Sequence, residues 1–271
     1  MRAAFWTRAA LIGLLGIALP AQAESIGARY DIYTGGFKAI GIQARAVVTE
    51  RTYNVQANLK TMGFLDWILR FNQTLEGRGR LGATTTPLLY LSEGTFFGTR
   101  RTTRLDYLED GRIDAVLHPA NEDDERTPVT DDMKPGTIDP LSVFVAVNRS
   151  VQAGGQPCSG RVPVYDGRRR FNIVLEDDGV GAVEASPYSV FSGPALRCKY
   201  SMERLAGFQP NPRFNARTPP VSILYAARFG ESDLWVPVRL ESDSAFGYVV
   251  GHLVEIDAQV RPLGRDLRPA P

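Results

Sequence analysis

The dominant pattern along the chain is alternation of apolar and polar residues. The stretch 40–48 places Ile, Ala or Val at every second position, and 53–59 repeats the pattern after a turn at Arg51-Thr52. A period of two is typical of a strand with one buried face. A first strand is predicted to open at Tyr30 and turn at Gly35-Gly36, and further strands are predicted at residues 73–81, 86–96, 99–108, 111–118, 161–165, 169–176, 180–190, 196–205, 220–229, 234–242 and 246–260.

Short turn signals separate many of these stretches. Asp110-Gly111, Asp166-Gly167 and Asp178-Gly179 are dipeptides that favour hairpin turns, because both residue types tolerate positive φ. Many strands in series, joined by short turns, predict a mostly β fold. We expect a long antiparallel meander that forms a strongly curved sheet or a partly open barrel or sandwich, with one or two short helices.

Two segments interrupt the alternation. In residues 59–71, LKTMGFLDWILRF, apolar side chains fall at helical rather than strand spacing. In residues 139–150, Asp139 is a good N-cap and Pro140 suits the first position of a helix. The second segment is therefore predicted to form a helix of about ten residues.

The amino-terminal segment has the organisation of a cleavable secretory signal. Two arginines in residues 1–8 precede an apolar stretch at 9–20, which is shorter than the roughly 20 residues needed to span a bilayer. Ala21-Gln22-Ala23 then supplies a small-x-small cleavage pattern. The alternatives are a buried amino-terminal helix or a membrane anchor.

The signal interpretation assigns residues 1–23 to the signal peptide, 24–260 to one β-rich domain and 261–271 to a disordered tail. No second apolar stretch in the sequence reaches spanning length, so no transmembrane span is expected after signal removal. The expected location is the periplasm.

Cys158 and Cys198 are the only cysteines. An exported chain meets an oxidising compartment, which favours a disulfide between them. Closing that loop would contribute about 4 kcal/mol in the chain-entropy model. The alternative is two unpaired buried thiols. A redox-active or zinc role is disfavoured because the cysteines form no C-x-x-C motif and have no flanking histidine.

Composition and motifs narrow the function classes. Removal of residues 1–23 takes away Arg2 and Arg8 and leaves 29 basic residues against 30 acidic ones, so no nucleic-acid partner is expected. The sequence contains no G-x-S-x-G, H-E-x-x-H, P-loop or G-x-G-x-x-G motif, and only two histidines. We therefore expect no enzyme, no cofactor and no metal. The acidic stretch within 106–132 lacks the spacing of a calcium loop and is predicted to be a solvated loop.

Two groups of arginines could hold an anion. On a strand, Arg100 and Arg104 share one face, and Arg168 and Arg170 share one face. If those faces point into a concavity, they form an anion-binding surface. The alternative is that they face solvent beside acidic neighbours.

The apolar segment 59–71 suggests a second candidate site. Phe64, Leu65, Trp67 and Ile68 could form the mouth or lid of an apolar ligand site. The alternative is a short helix that plugs one end of the β structure. In both cases these side chains need a cover, either the open end of the sheet or a ligand, a partner or the membrane surface, because leaving a large apolar group in water costs roughly 1.5–3 kcal/mol.

An ordered set of segments resembles a known family. The set is TGGFKAIGIQARAVV, GFLDWILRF, PGTIDPLS, PVYDGRRRFNIVLE, LRCKYSMERLAGF and LWVPVRLES. It is similar to the exported bacterial domain-of-unknown-function family DUF3108 over most of residues 27–257. The resemblance implies a periplasmic β protein, similar in outline to the Lol-type lipoprotein carriers, and supplies no reaction and no catalytic residues.

Three hypotheses follow for the function. The first is non-enzymatic binding of an apolar or amphipathic envelope ligand, such as a lipid or a lipidated molecule, with arginines at an anionic head. The second is a structural or interaction module of envelope assembly without a small-molecule ligand. The third is a hydrolase of unrecognised type. A continuous apolar cavity would favour the first, and an interior filled by side chains would favour the second.

Overall fold

The computed structural model describes residues 22–120, 126–209, 221–244 and 247–262. The strands, in chain order, are β1 (Gln22–Thr34), β2 (Phe37–Thr49), β3 (Thr52–Thr61), β4 (Asn72–Leu81), β5 (Thr85–Phe96), β6 (Thr99–Tyr107), β7 (Ile113–His118), β8 (Gly160–Tyr165), β9 (Arg170–Val183), β10 (Gly193–Ala206), β11 (Ser222–Ala227), β12 (Val236–Ser244) and β13 (Gly247–Pro262). The helices are α1 (Phe64–Leu69) and α2 (Ser142–Gln152), with a 3₁₀ turn at Asp131–Met133.

The strands of the described residues form one antiparallel sheet made of two meanders. Its order is β7-β6-β5-β4-β3-β2-β1-β13-β12-β11-β10-β9-β8. The two ends of the described chain pair at the centre, where β1 lies against β13 from Gln22 opposite Pro262 to Thr34 opposite Val249. The sheet edges are therefore β7 and β8, strands from the middle of the sequence, and no ladder of the described residues joins them.

The sheet curls until its two ends touch without pairing. Ile138 forms a parallel bridge to Val164 on the outer side of β8. The Arg168 guanidinium, in the turn after β8, donates to the carbonyl oxygen of Pro119, just after β7, at 2.8 Å. Gly167 in that turn has a φ of 92°, and a Cβ there would lie 2.5 Å from the Thr103 side chain of β6. The result is a barrel-like sheet with an open seam.

Helix α2 lies inside the curve of the sheet. Its Val145 is buried in a core cluster with Ile26, Val55 and Val236, which come from β1, β3 and β12. Asn148 anchors α2 to the residue before β12, because its side-chain carbonyl oxygen accepts the Trp235 N–H at 2.7 Å. Burying one side chain such as Val145 contributes roughly 1.5–3 kcal/mol, so this packing holds α2 against the concave face.

Asp139 caps the turn that leads into α2. Its Oδ1 accepts the N–H groups of Leu141 at 2.9 Å and of Ser142 at 3.0 Å, and its Oδ2 accepts the Ser142 hydroxyl. These are donors that a helix start leaves unpaired. The predicted capping role of Asp139 agrees with these bonds, although α2 itself begins at Ser142 rather than at Pro140.

The predicted mostly β meander is confirmed, with differences at several boundaries. β1 begins at Gln22 rather than Tyr30, because the alternation 24–29 also has a partner strand, β13. Asp178-Gly179 does not form the predicted hairpin turn. It lies inside β9 as a bulge opposite Arg197, where Gly179 takes a φ of 77°.

The predicted segments at the chain ends fall mostly outside the described residues. Gln22 and Ala23, assigned to the signal, lie in β1, and the rest of the signal lies outside the described residues. Arg261 and Pro262 belong to β13, and the remainder of the predicted tail lies outside as well. Within the ranges that the structure describes, no helix has the length and apolar character needed to cross a bilayer.

Candidate ligand-binding site

A cavity of about 230 Å³ lies between α2 and the concave face of β9–β12. Its walls are almost entirely apolar: Pro140, Val143, Phe144, Val147, Asn148, Val151, Pro157, Cys158, Ile173, Leu175, Leu196, Cys198, Tyr200, Leu224, Ala226, Trp235 and Pro237. We call it the apolar cavity. Asn148, one of the two lining residues with a polar side-chain group beside Tyr200, uses its amide on backbone groups of Phe144 and Trp235, so the amide offers little unpaired polarity to an occupant.

Two periodicities build these walls. On α2, Val143, Val147 and Val151 follow each other at intervals of four residues and so share one helix face. On β10, Leu196 and Cys198 lie two residues apart and therefore point to the same side of the sheet. An amphipathic helix thus covers the apolar face of a curved sheet without filling the space between them.

The cysteine pair forms part of the wall of the apolar cavity. Cys158 and Cys198 stand at disulfide distance, with Cα atoms 5.3 Å apart, which is within the usual range for a disulfide. The pair ties the segment after α2 to β10. It therefore holds the helix side of the cavity against the sheet side.

A second cavity, of about 540 Å³, lies on the concave face of β4–β6. We call it the arginine cavity, because four guanidinium groups line it together with aromatic and hydroxyl side chains. Its lining is Phe71, Gln73, Leu75, Tyr90, Ser92, Gly94, Thr95, Phe96, Arg101, Thr103, Arg126, Pro140, Asp166, Arg168 and Arg169. Asp166 is the one carboxylate among these described lining residues, which together carry an excess of positive charge.

The arginines of this cavity differ in their partners. Asp166 accepts the backbone N–H groups of Arg168 and Arg169 and also pairs with the Arg169 guanidinium at 2.8 Å. Burial, with like charge from Arg101, lowers the pKa of Arg168, and Asp166 opposes that change. Gathering guanidinium groups in this way is unfavourable unless an anion offsets them.

Arg101 has a hydrogen-bond donor that an anionic ligand could use. Its guanidinium lies 5.7 Å from the ring centroid of Phe96, and among the described residues its buried Nε has no hydrogen-bond partner. In the described part of the chain it makes no ion pair with a carboxylate. A buried donor without a partner costs roughly 1–3 kcal/mol, which an anionic group in the cavity would recover.

The turn 139–142, which leads into α2, lies where the two cavities meet, since Pro140 lines both. We call this turn the divider. Next to Pro140, the buried Asp139 carboxyl has no ion pair with a basic side chain of the described residues. Burial raises its pKa from 3.8 to about 6, and the hydrogen bonds from Ser142 and Leu141 oppose that rise. The Ser142 hydroxyl also bonds the Tyr53 hydroxyl at 2.6 Å, so this divider is a connected polar network.

The four predicted arginines lie in different environments, and the first two are at the surface. Arg100 pairs with Glu93, and Arg104 pairs with Asp106 at 2.6 Å, both at the exposed surface. They lie on the face of β6 opposite the buried Thr103 and Leu105, beside acidic neighbours as the solvent-facing alternative expects, and Arg101 takes the inward position.

Of the other predicted pair, only Arg168 lines a cavity. Arg170 instead donates to the backbone carbonyl oxygen of Met133 at 3.0 Å and to the Asn172 side chain at 2.9 Å. The bond to Met133 holds the segment before α2 against β9. The structure therefore does not place Arg168 and Arg170 on one binding face.

The described side chains of the apolar segment 59–71 are only partly covered. Trp67 in α1 is strongly exposed, so of the expected covers only a ligand, a partner or the membrane surface remains for this residue. Leu65 is half-buried, and the side chains of Phe64 and Ile68 lie outside the described set. Phe71, just after α1, does reach a site, since it lines the arginine cavity.

The sequence interpretation missed the walls of the apolar cavity. A signal was present, because Val143, Val147 and Val151 mark an apolar stripe on a helix that the sequence already predicts. In the described ranges, no group of three or more His, Cys, Asp or Glu side chains is placed to hold a metal ion.

The fold and its cavities define a class: an open, barrel-like antiparallel sheet wrapped around one helix, with two interior cavities that both reach Pro140, just before that helix. The chain belongs to the family described as "Protein of unknown function (DUF3108)", which matches residues 29–254. This confirms the resemblance found in the sequence.

The chain is similar to the crystal structure of a β-barrel-like protein of domain of unknown function DUF1849 from Brucella abortus, with 14% identity, a TM-score of 0.44, and coverage of 90% of this chain and 99% of that one. Among curated protein sequences there is no significant match.

Proposed function

We propose that the protein is a non-enzymatic binder of an amphipathic ligand of the bacterial envelope, such as a lipid or a lipidated molecule. The observation that carries this proposal is the apolar cavity between α2 and β9–β12. Natural cores are packed with few voids larger than a water molecule, and apolar cavities of this kind stay dry and accept apolar molecules.

The volume sets the kind of ligand. Pockets for whole drug-sized molecules measure about 300–1,000 Å³. The apolar cavity, at about 230 Å³, is smaller than that range, and it accommodates a hydrocarbon part rather than a whole lipid. An acyl chain segment fits both its size and the almost complete lack of polar groups on its walls.

The arginine cavity supplies the other half of an amphiphile site. Arg101 and Arg168 line it beside the rings of Phe96 and Tyr90, a combination suited to a carboxylate or phosphate joined to an apolar body. Both cavities touch Pro140, so a ligand with its charge in one and its chain in the other would pass the start of α2.

Location in the periplasm is part of the same proposal. The signal-like residues 1–23 and the pairing of Cys158 with Cys198 both fit an oxidising compartment outside the cytoplasm. A lipid handled there must be shielded from water, and an interior cavity provides that shield.

The test fills the apolar cavity and measures ligand. Val147→Phe adds a ring to the helix wall, and Val180→Phe makes the same change at an exposed position of β9 outside the lining. Both variants and the wild type would be purified after export, titrated with a fluorescent fatty acid, and analysed by native mass spectrometry for co-purified lipid.

We expect Val147→Phe to lose roughly tenfold or more in fatty-acid affinity while Val180→Phe binds like the wild type, because only the first removes apolar space. Thermal melts would show that both variants are folded. Unchanged binding by Val147→Phe, or no binding by the wild type, would contradict the proposal.

The second candidate function is an interaction module without a small-molecule ligand. The exposed Trp67 and its neighbours favour it, since an exposed apolar patch often marks a contact surface. This alternative expects no co-purified lipid and no effect of Val147→Phe on any interaction.

A further inference from the structure

Two connections meet at one end of the sheet. β3 and β5 run in the same direction, so α1, which follows β3, and the turn after β5 lie at the same end. The Phe97 N–H bonds the Leu69 carbonyl oxygen at 3.0 Å, and the Thr95 hydroxyl donates to the Arg70 carbonyl oxygen at 3.1 Å. The helix and the hairpin therefore form one platform rather than two independent loops.

Large aromatic side chains project from this platform. The exposed fractions are 79% for Trp67, 60% for Phe97 and 40% for Phe96. We call these three residues the aromatic rim. Phe96 contacts Phe97 with ring centroids 4.6 Å apart and Phe71 at 6.2 Å, so the rim continues into the lining of the arginine cavity.

The backbone of the rim is unusual for these residue types. Phe97 has a φ of 49°, in the left-handed region, and is followed by Gly98 at 77°. A two-residue hairpin turn with positive φ at both positions favours Asn-Gly or Gly-Gly, and a bulky residue there is an outlier. Folding alone gives no reason for an exposed Phe at this position, which points to a role for its side chain.

The charge around the rim is positive. Residues 60–72 and 93–101 together carry four basic and two acidic residues. One of the acids, Glu93, is engaged by Arg100, and Arg70 is exposed at the end of α1 without an ion pair in the described chain. Exposed aromatic rings with basic neighbours are the combination that binds the surface of an anionic bilayer.

We propose that the aromatic rim docks the protein on an anionic phospholipid membrane surface, with Trp67 and Phe97 entering the headgroup region and Arg70 beside them. This inference rests on the proposed lipid binding, which would explain why the protein docks. Phe96 and Phe71 link the aromatic rim to the arginine cavity. In the docked protein, the entrance to the arginine cavity would then face the bilayer.

The experiment uses co-sedimentation of the exported protein with vesicles. Vesicles of phosphatidylcholine alone are compared with vesicles that also contain phosphatidylglycerol, at low and at physiological salt. The variants are Trp67→Ala, Phe97→Ala and the double change, with Val116→Ala as the control, because Val116 is an exposed apolar residue on β7 away from the rim.

We expect binding to the anionic vesicles, weaker binding at higher salt, and a loss of roughly tenfold in affinity for each aromatic change. Val116→Ala should bind like the wild type. Thermal melts of all variants separate docking from folding, and a blue shift of tryptophan emission that disappears in Trp67→Ala would locate the contact.

No binding of the wild type to anionic vesicles, or equal binding by the double variant, would overturn the docking proposal. The two proposals fail separately. Val147→Phe should still dock while losing fatty acid, and Trp67→Ala should still bind soluble fatty acid while losing vesicles. If the wild type does not bind fatty acid, the proposed function is overturned. Binding of the wild type to anionic vesicles would still support the docking proposal.

Discussion

The apolar cavity and the arginine cavity share one concave sheet and one helix end, yet they differ in what they can hold. In the first, the Asn148 amide is satisfied by backbone groups, and the rest of the wall is almost entirely apolar. In the second, guanidinium groups crowd together and the Arg101 Nε lacks a partner. The first would gain apolar contacts from a hydrocarbon chain, and the second would gain from an anion.

The difference shows how a simple meander can separate hydrocarbon from charge. Strands β9–β12 send apolar residues inward, while β6 and the turn after β8 send arginines inward. The start of α2 lies between them and is itself polar, through Asp139 and Ser142. Changes that weaken the wall, the divider and the charged site should therefore have different and separable effects.

The largest expected effect is on the wall of the apolar cavity. Replacing Cys158 and Cys198 together by Ser should lower the free energy of unfolding by about 4 kcal/mol, because the pair closes a loop with a sequence separation of 40 residues. Urea titration of the oxidised wild type, the reduced wild type and the variant measures this. If the oxidised wild type and the variant unfold at the same urea concentration, the cysteines do not stabilise the cavity wall.

The next effect is on the divider and depends on pH. Asp139 has a pKa of about 6 in the fold and 3.8 as a free carboxyl, so the folded state holds its proton more tightly. Its contribution to stability is fully present below 3.8 and is lost as the pH rises through about 6. The loss amounts to about 3 kcal/mol.

Asp139→Asn isolates this titration. The amide can still accept from Leu141 and Ser142, but it does not ionise, so the variant should gain about 3 kcal/mol relative to the wild type as the pH rises across that window. Denaturant titrations of both proteins across the pH range give the difference, in which the other titrating groups cancel. A difference that does not vary with pH would show that the carboxyl is not held in its neutral form.

A smaller effect is expected on the charged site. Arg101→Gln should weaken binding of a fatty acid roughly tenfold while leaving binding of the matching fatty alcohol unchanged, because a charge-assisted hydrogen bond contributes about 1.5–3 kcal/mol. Competition against the fluorescent fatty acid compares the two ligands. Equal weakening for both would mean that the substitution disturbs the fold and does not remove an anion contact.

The smallest effect comes from the outward arginine of the same strand. Arg104→Gln removes an exposed pair with Asp106, and exposed pairs add little to stability. We expect an unchanged melting temperature and unchanged preference for fatty acid over fatty alcohol. An effect as large as that of Arg101→Gln would reverse the assignment of the two faces of β6.

Local pattern was sufficient for most of the strands and for α2, because alternation, turn dipeptides and the Asp139-Pro140 start are short-range signals. It failed where a partner strand decides. Asp178-Gly179 suits a turn as well as a bulge, and only pairing with β10 makes it a bulge. The pairing of β1 with β13 has no signal in either strand alone.

The candidate site was harder to predict for the same reason. Period two shows that Arg100 and Arg104 share a face, but not which face of β6 is concave. That choice depends on the curl of the whole sheet, which also places Thr103 and Leu105 inside. The valine stripe of α2 was readable in the sequence, while the space left beside it depends on how closely the helix approaches β9–β12.

The pairing of β1 with β13 also bears on the order of assembly. Each meander can form from neighbouring segments, but the β1–β13 ladder that joins the two meanders needs residues from opposite ends of the described chain. Until β13 is available, β1 and β12 each present an open edge that can pair with another molecule. The sheet is therefore complete only once β13, the last strand of the described residues, is available, and protection of the two open edges should matter most just before that point.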